Sequence, residues 1–155
     1  MNSQNVTTLD KKELDVILLN RYHFKGKEKD IENHILENIN DISNQCGWGV
    51  IQRVKSQYVV PFGNGRLIAD IMVWHKDGTG TCIEVKSGKH NRNDLLNAIS
   101  QSLSYGYKLK SMLGNYPRLV IAAPKIEEEI YNVVAEYKLP INMLMVDGDR
   151  CVYLQ

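Results

Sequence analysis

The chain has 155 residues, 43% of them hydrophobic and 24% charged, with a formal net charge of +1. This composition fits one globular domain over residues 1–155 and excludes a membrane-spanning helix, which needs about 20 consecutive apolar residues. The small net charge gives no whole-molecule attraction to nucleic acid, so any such surface has to come from local clustering. Residues 1–10 are polar and read as a loose N-terminal end without a secretory signal, which makes a cytoplasmic location the expectation.

Cys46, Cys82 and Cys151 are far apart and odd in number, and neither they nor His23, His34, His75 and His90 show zinc spacing. Reduced, buried thiols are expected. Basic residues gather at Lys25, Lys27 and Lys29, at Arg53 and Lys55, at Lys86, Lys89, His90 and Arg92, and at Lys108 and Lys110. Each group alone reads as a solvated face.

In chain order, residues 11–19 combine polar side chains with Val16, Ile17, Leu18 and Leu19 and suggest a short helix or docking segment. Residues 27–44 carry Ile31, Ile35, Ile39 and Ile42 at helical spacing, one apolar stripe closed by Gly47 and Gly49. Residues 49–55 and 57–60 read as strands, with the turn-forming stretch 61–65 as the break. Residues 66–75 form a strand rich in Ile, Val and Trp, and 81–87 another.

A helix follows over residues 93–113, entered through Asn91 and Asn93 and left at Gly114. Residues 118–123 are a continuous apolar run of the kind buried on both sheet faces. Pro124 opens a helix with Glu127, Glu128 and Glu129 at its N-terminus and Ile126, Ile130, Val133 and Tyr137 as its stripe; Pro140 stops it. Residues 141–146 and 151–154 read as a terminal hairpin turning at 147–149. The order predicts an α/β fold, a mixed central sheet flanked by helices on both faces.

Chemistry concentrates on the strands at 66–75 and 81–87. Residues two apart on a strand share a face, so Glu84 and Lys86 point one way, Ile83 and Val85 the other. Lys76, Asp77 and Gly78 suit a three-residue hairpin loop, a type I turn closed by a left-handed glycine. Such a loop pairs His75 with Thr79, hence Trp74 with Gly80, Met72 with Cys82, and Asp70 with Glu84. Two carboxylates directly opposite, their Cβ atoms roughly 5 Å apart, repel each other without a counter-ion.

Lys86, on the diagonal, supplies part of the compensation, and a divalent cation would supply the rest. Two carboxylates and a backbone carbonyl make the hard oxygen site that Mg²⁺ favours, with Mn²⁺ as a substitute. Such an ion activates water and offsets charge on a phosphate, while a nearby lysine orients or deprotonates that water. The pattern alone leaves a plainer reading open, in which Asp70 and Glu84 are surface acids at strand ends and Lys86 is their salt-bridge partner. A register one residue off would send the two acids to opposite faces.

Asp70 with Glu84, Val85 and Lys86 resembles the metal-binding aspartate and (D/E)xK element of the PD-(D/E)xK nuclease superfamily. Ala69 stands where that family has its proline. The resemblance runs from about residue 27 to residue 123 and implies a restriction-endonuclease-like α-β-β-β-α-β core, here with a C-terminal helix and hairpin added. It implies Asp70, Glu84 and the Val85 carbonyl as metal ligands and Lys86 as the catalytic lysine.

Many members carry a glutamate on the first core helix; Glu28 is the first choice and Glu32, one turn on, the substitute. Gln101 and Tyr105 resemble the QxxxY element of RecB-like members, which lies beside the active site. Gln101 is expected among the catalytic groups and Tyr105 against DNA. The loop carrying Ser87, Lys89 and Arg92 follows the catalytic strand, where it could hold the DNA backbone.

The expected activity is that of a Mg²⁺-dependent deoxyribonuclease acting in DNA repair, recombination or defence against foreign DNA. With no separate recognition region in sight, DNA structure, ends or a partner protein is a more natural target than base sequence. A homodimer, needed to cut both strands together, stays open. The alternative is the same fold kept without chemistry as a module that binds DNA or a protein; metal dependence of any activity separates the two. An RNA-processing enzyme with the same site would be told apart by substrate competition.

Overall fold

The computed structural model describes residues 5–9, 27–87, 92–147 and 150–155, with Leu9, Arg92, Asp147 and Arg150 as backbone only. The segment 11–19 and residues 148–149 of the last turn lie outside them. The elements are β1 (Asn5–Leu9), α1 (Glu28–Glu37), α2 (Ile39–Cys46), β2 (Ile51–Phe62), β3 (Gly65–His75), β4 (Gly80–Val85), α3 (Arg92–Leu113), β5 (Arg118–Ala123), α4 (Glu128–Glu136), β6 (Ile141–Asp147) and β7 (Arg150–Leu154).

The strands form one seven-stranded sheet in the order β1-β7-β6-β5-β4-β3-β2. The β2–β3, β3–β4 and β6–β7 pairs are antiparallel; β4–β5, β5–β6 and β1–β7 are parallel. Helices α3 and α4 are the crossovers that the parallel pairs require. Ile31 and Ile35 of α1 and Ile39, Ile42 and Cys46 of α2 pack on one sheet face against Ile71, Val73, Ile83 and Val85. On the other face Leu95, Ala98, Tyr105 and Leu109 of α3 and Ile130 and Val134 of α4 meet Met72, Cys82 and Ile121. Strands β4 and β5, covered on both sides, are apolar nearly throughout for that reason. Among the described residues no helix is long and apolar enough to cross a membrane.

The three cysteines are buried and free, as expected. Several sequence expectations are corrected. Residues 5–9 are not a loose end: Val6, Thr7 and Thr8 suit a strand, and β1 pairs with β7 along its length. The expected helix at 27–44 is two helices, parted at Asn38, whose backbone leaves helical geometry (φ −113°, ψ 16°) while its side chain joins its own N–H on the His34 carbonyl (2.9 Å). The isoleucine stripe nevertheless stays buried across the break.

β2 runs unbroken through Pro61, which an edge strand tolerates because its missing N–H faces no neighbour. Residues 124–127 precede α4 rather than open it, so the helix buries Ile130 and Val134, while Val133 and Tyr137 are exposed.

The β3–β4 turn holds the expected geometry. The His75 N–H donates to the Thr79 carbonyl at 2.9 Å, and Gly78 takes φ +89°, a left-handed conformation that favours glycine. Trp74 then pairs with Gly80, Met72 with Cys82, and Ile71 with Ile83. The next residues in that register are Asp70 and Glu84.

At that point the β2–β3 hairpin changes face. Ile71 belongs to the core under α1 and α2, yet Ala69, two residues earlier, belongs to the core under α3. β2 shows the same change, with Val54 against the first core and Tyr58 and Val60 against the second. Strict alternation would keep each set on one face. This change of face lies at Gln57, held at φ +52° between the pairs Ser56–Ile71 and Tyr58–Ala69, with the register unchanged across it; the ladder's one register shift lies between Ile51 and Arg53. Gln57 therefore stands across the ladder from Asp70.

Candidate active site

Five elements meet around Asp70, β2 through Gln57 and four others. β3 supplies Asp70 itself, and β4 supplies Glu84, with Val85 next and Lys86 just beyond its end. α1 supplies Glu32 and Glu28, and α3 supplies Tyr105. The Val85 N–H donates to Asp70 Oδ2 at 2.7 Å, which ties the acid to the neighbouring strand. A strand residue's N–H and carbonyl point to the same neighbour, so the Val85 carbonyl also lies on the Asp70 side. The Lys86 N–H donates to the Ala122 carbonyl at 2.8 Å, which continues the β4–β5 pairing and fixes the lysine's root. Its Nζ then stands 3.6 Å from Glu84 Oε1.

Glu84 is 5% exposed, and its Oε2 accepts the Tyr105 hydroxyl at 2.9 Å. Burial pushes its carboxyl up to about 8; Asp70 adds to the rise, while Lys86 and the Tyr105 hydroxyl oppose it. Burial also raises Asp70, against the Val85 N–H and the Gln57 amide, with the Glu32 charge adding to the rise. Glu28 is raised by burial too, opposed by Lys86 and reinforced by Asp70, Asp94 and Glu32.

Between the two helix acids, burial and bonding favour the second. Glu32 is 4% exposed, pairs with Lys29 Nζ at 3.5 Å and accepts the Gln57 amide at 3.2 Å on each oxygen. Glu28 is exposed. Gln57 was not foreseen from the sequence; its amide also donates to Asp70 Oδ1 at 3.4 Å. No local signal marks it, since a glutamine on a strand says nothing about a left-handed backbone.

The expectation that Tyr105 contacts DNA is replaced. The residue is 1% exposed, because α3 lies flat on the sheet, and its hydroxyl serves Glu84 and the Ile68 carbonyl (2.9 Å). Gln101 sits one helical turn earlier, and its Oε1 is buried with no hydrogen-bond partner among the described residues. Such a buried acceptor calls for a donor or cation. Ser87 follows Lys86 and is half-buried. Lys89, and the side chain of Arg92, lie outside the described residues.

Among the described residues no group of three or more His, Cys, Asp or Glu side chains is arranged to hold a metal ion. The expected ligand set needs only two side chains, Asp70 and Glu84, completed by the Val85 carbonyl. Its chemistry fits a hard divalent cation: the donors are all oxygens, and Asp70 raises the proton affinity of Glu84 as Glu32 raises that of Asp70.

Sequence comparison finds no matching protein family and no matching curated protein. Comparison of folds does find similar structures. The crystal structure of a repair endonuclease from Pyrococcus abyssi aligns with a TM-score of 0.55 and 22% identity, over 81% of this chain and 49% of that one. The EndoMS–dsDNA2 complex aligns at 0.48 and 21%, over 79% and 46%. An XisH family protein from Nostoc punctiforme PCC 73102 aligns at 0.48 and 18%, over 73% and 91%. This chain thus spans about half the length of the repair endonuclease. At this identity the likeness is one of fold, a seven-stranded mixed sheet flanked by helices.

Proposed function

We propose that this protein is a divalent-metal-dependent nuclease that hydrolyses phosphodiester bonds in DNA, in repair, recombination or defence against foreign DNA. The observation that carries the reading is the meeting of Asp70, Glu84 and Lys86 at one end of the β3–β4 pair. Glu84 is buried, bonded to Tyr105 and 3.6 Å from the lysine, which argues against a solvated surface salt bridge. The similarity in fold to a repair endonuclease supports it.

Asp70 and Glu84, with the Val85 carbonyl, would hold Mg²⁺ or Mn²⁺, which lowers the pKa of water and offsets charge on a phosphate. The chain's own residues do the rest. Glu84, raised to about 8, has to release its proton before it can act as a ligand. Lys86 neutralises that carboxylate and lies close enough to orient an attacking water or to offset charge on the phosphate. Tyr105 keeps Glu84 aimed at Asp70.

The test is cleavage of supercoiled, linear duplex and single-stranded DNA with and without Mg²⁺ or Mn²⁺. Metal-dependent cleavage is expected, and the preferred form of DNA separates an endonuclease from an exonuclease. Metal-independent DNA retention with no cleavage in any form would favour a binding module instead.

A further inference from the structure

Gln57 is a non-glycine residue held at φ +52°, a strained backbone conformation that persists only where its surroundings impose it. It stands where the β2–β3 hairpin changes face, across from Asp70. Its side chain explains the placement. A single amide nitrogen reaches both oxygens of Glu32 (3.2 Å each) and Asp70 Oδ1 (3.4 Å), joining the first helix to the strand that carries the site.

The amide has two hydrogens for three acceptor oxygens, and distances of 3.2–3.4 Å are at the long end for such bonds. The bonds are therefore shared and readily given up. Asp70 Oδ2 holds the short bond from the Val85 N–H at 2.7 Å, whereas Oδ1 holds the long one from Gln57 at 3.4 Å. Oδ1 is therefore the oxygen more readily turned to a cation, and it is the one Gln57 reaches. An amide donor and a divalent cation compete for the same lone pairs.

We propose that Gln57 is a positioning residue whose amide clasps Glu32 to Asp70 before the metal arrives and yields Asp70 Oδ1 to it. This rests on the metal-dependent reading of the site. The clasp holds two negatively charged groups in register in the empty protein and lowers the intrinsic affinity for the ion in return.

The test is calorimetric titration of the full-length protein with Mn²⁺, without DNA, for wild type, Gln57→Gly and Gln57→Asn. Glycine removes the amide and accepts the left-handed backbone. Asparagine also tolerates that backbone but is one methylene too short to span both acids. Both variants are expected to bind Mn²⁺ more tightly than wild type, by roughly tenfold for glycine, the equivalent of one lost charge-assisted hydrogen bond. The rise in melting temperature on adding Mn²⁺ should widen in parallel. Equal or weaker Mn²⁺ binding by both variants overturns the clasp while leaving the metal site intact. Absence of Mn²⁺ binding in wild type and variants alike overturns both the clasp and the metal-dependent reading.

Discussion

Tyr105 places its hydroxyl 2.9 Å from Glu84 Oε2 and equally close to the Ile68 carbonyl, with a single proton to give. While Glu84 is protonated, its own hydrogen can go to the tyrosine oxygen and the tyrosine proton to Ile68. Once Glu84 ionises, the carboxylate draws the tyrosine proton. The tyrosine therefore favours the charged, metal-binding form. Tyr105→Phe should raise Glu84 further, move the acid limb of the activity–pH profile to higher pH, and lower activity near neutrality by about tenfold. A profile that keeps its acid limb in place would show that the hydroxyl does not tune Glu84.

Stability should depend on pH through the same carboxyl. An acid whose folded pKa stands above its unfolded value favours folding when protonated. For Glu84 that contribution is complete below about 4.5 and is lost as pH rises to about 8. Asp70 and Glu28 shift in the same direction. The metal-free protein should melt progressively lower between pH 5 and pH 8, in thermal melts followed by circular dichroism. Glu84→Gln should flatten that decline, and saturating Mg²⁺ should oppose it most at the alkaline end, where proton and cation no longer compete. A metal-free melting temperature that rises over this range would contradict the assignment.

The helix acids separate by substitution. Glu32→Ala removes a buried carboxylate that bonds Gln57, whereas Glu28→Ala removes an exposed one. Cleavage rates should fall by roughly tenfold or more for the first and by only a few-fold for the second. The reverse order would make Glu28 the acid that serves the site.

Gly106 lets α3 approach the sheet. A Cβ there would lie 2.9 Å from Leu119 Cδ1 on β5, inside a packed core. Gly106→Val should cost about 2 kcal/mol in denaturant unfolding, and because Tyr105 adjoins it, activity should fall as well. Wild-type stability in that variant would mean that the helix has room the packing does not show.

Much of the site was legible in the sequence because it is local. The loop of Lys76, Asp77 and Gly78 fixes the register from His75 back to Ile71 opposite Ile83, which leaves Asp70 and Glu84 as the next residues in line. The buried strand β5 announced itself as a continuous apolar run. What escaped depends on contacts between distant segments. β1 is five residues long and gains its structure by pairing with β7, near the other end of the chain, and from the Val6 N–H donating to the Gln45 side-chain oxygen at 2.8 Å. The break at Asn38 comes from a side-chain bond that competes with a continuous isoleucine stripe. Gln57 takes its backbone conformation between Asp70, 13 residues on, and Glu32, 25 residues back. The burial of Tyr105 follows from how α3 lies on the sheet, which a spacing of four cannot reveal.

The most direct measurement is a time course of supercoiled plasmid cleavage in Mg²⁺ by wild type and by Lys86→Ala, each checked for DNA retention and folding. The account predicts cleavage by the wild type that stops on chelation, and a loss of about 10²-fold or more in the variant with DNA still bound. Equal cleavage by the two proteins, or cleavage that survives chelation, would contradict it.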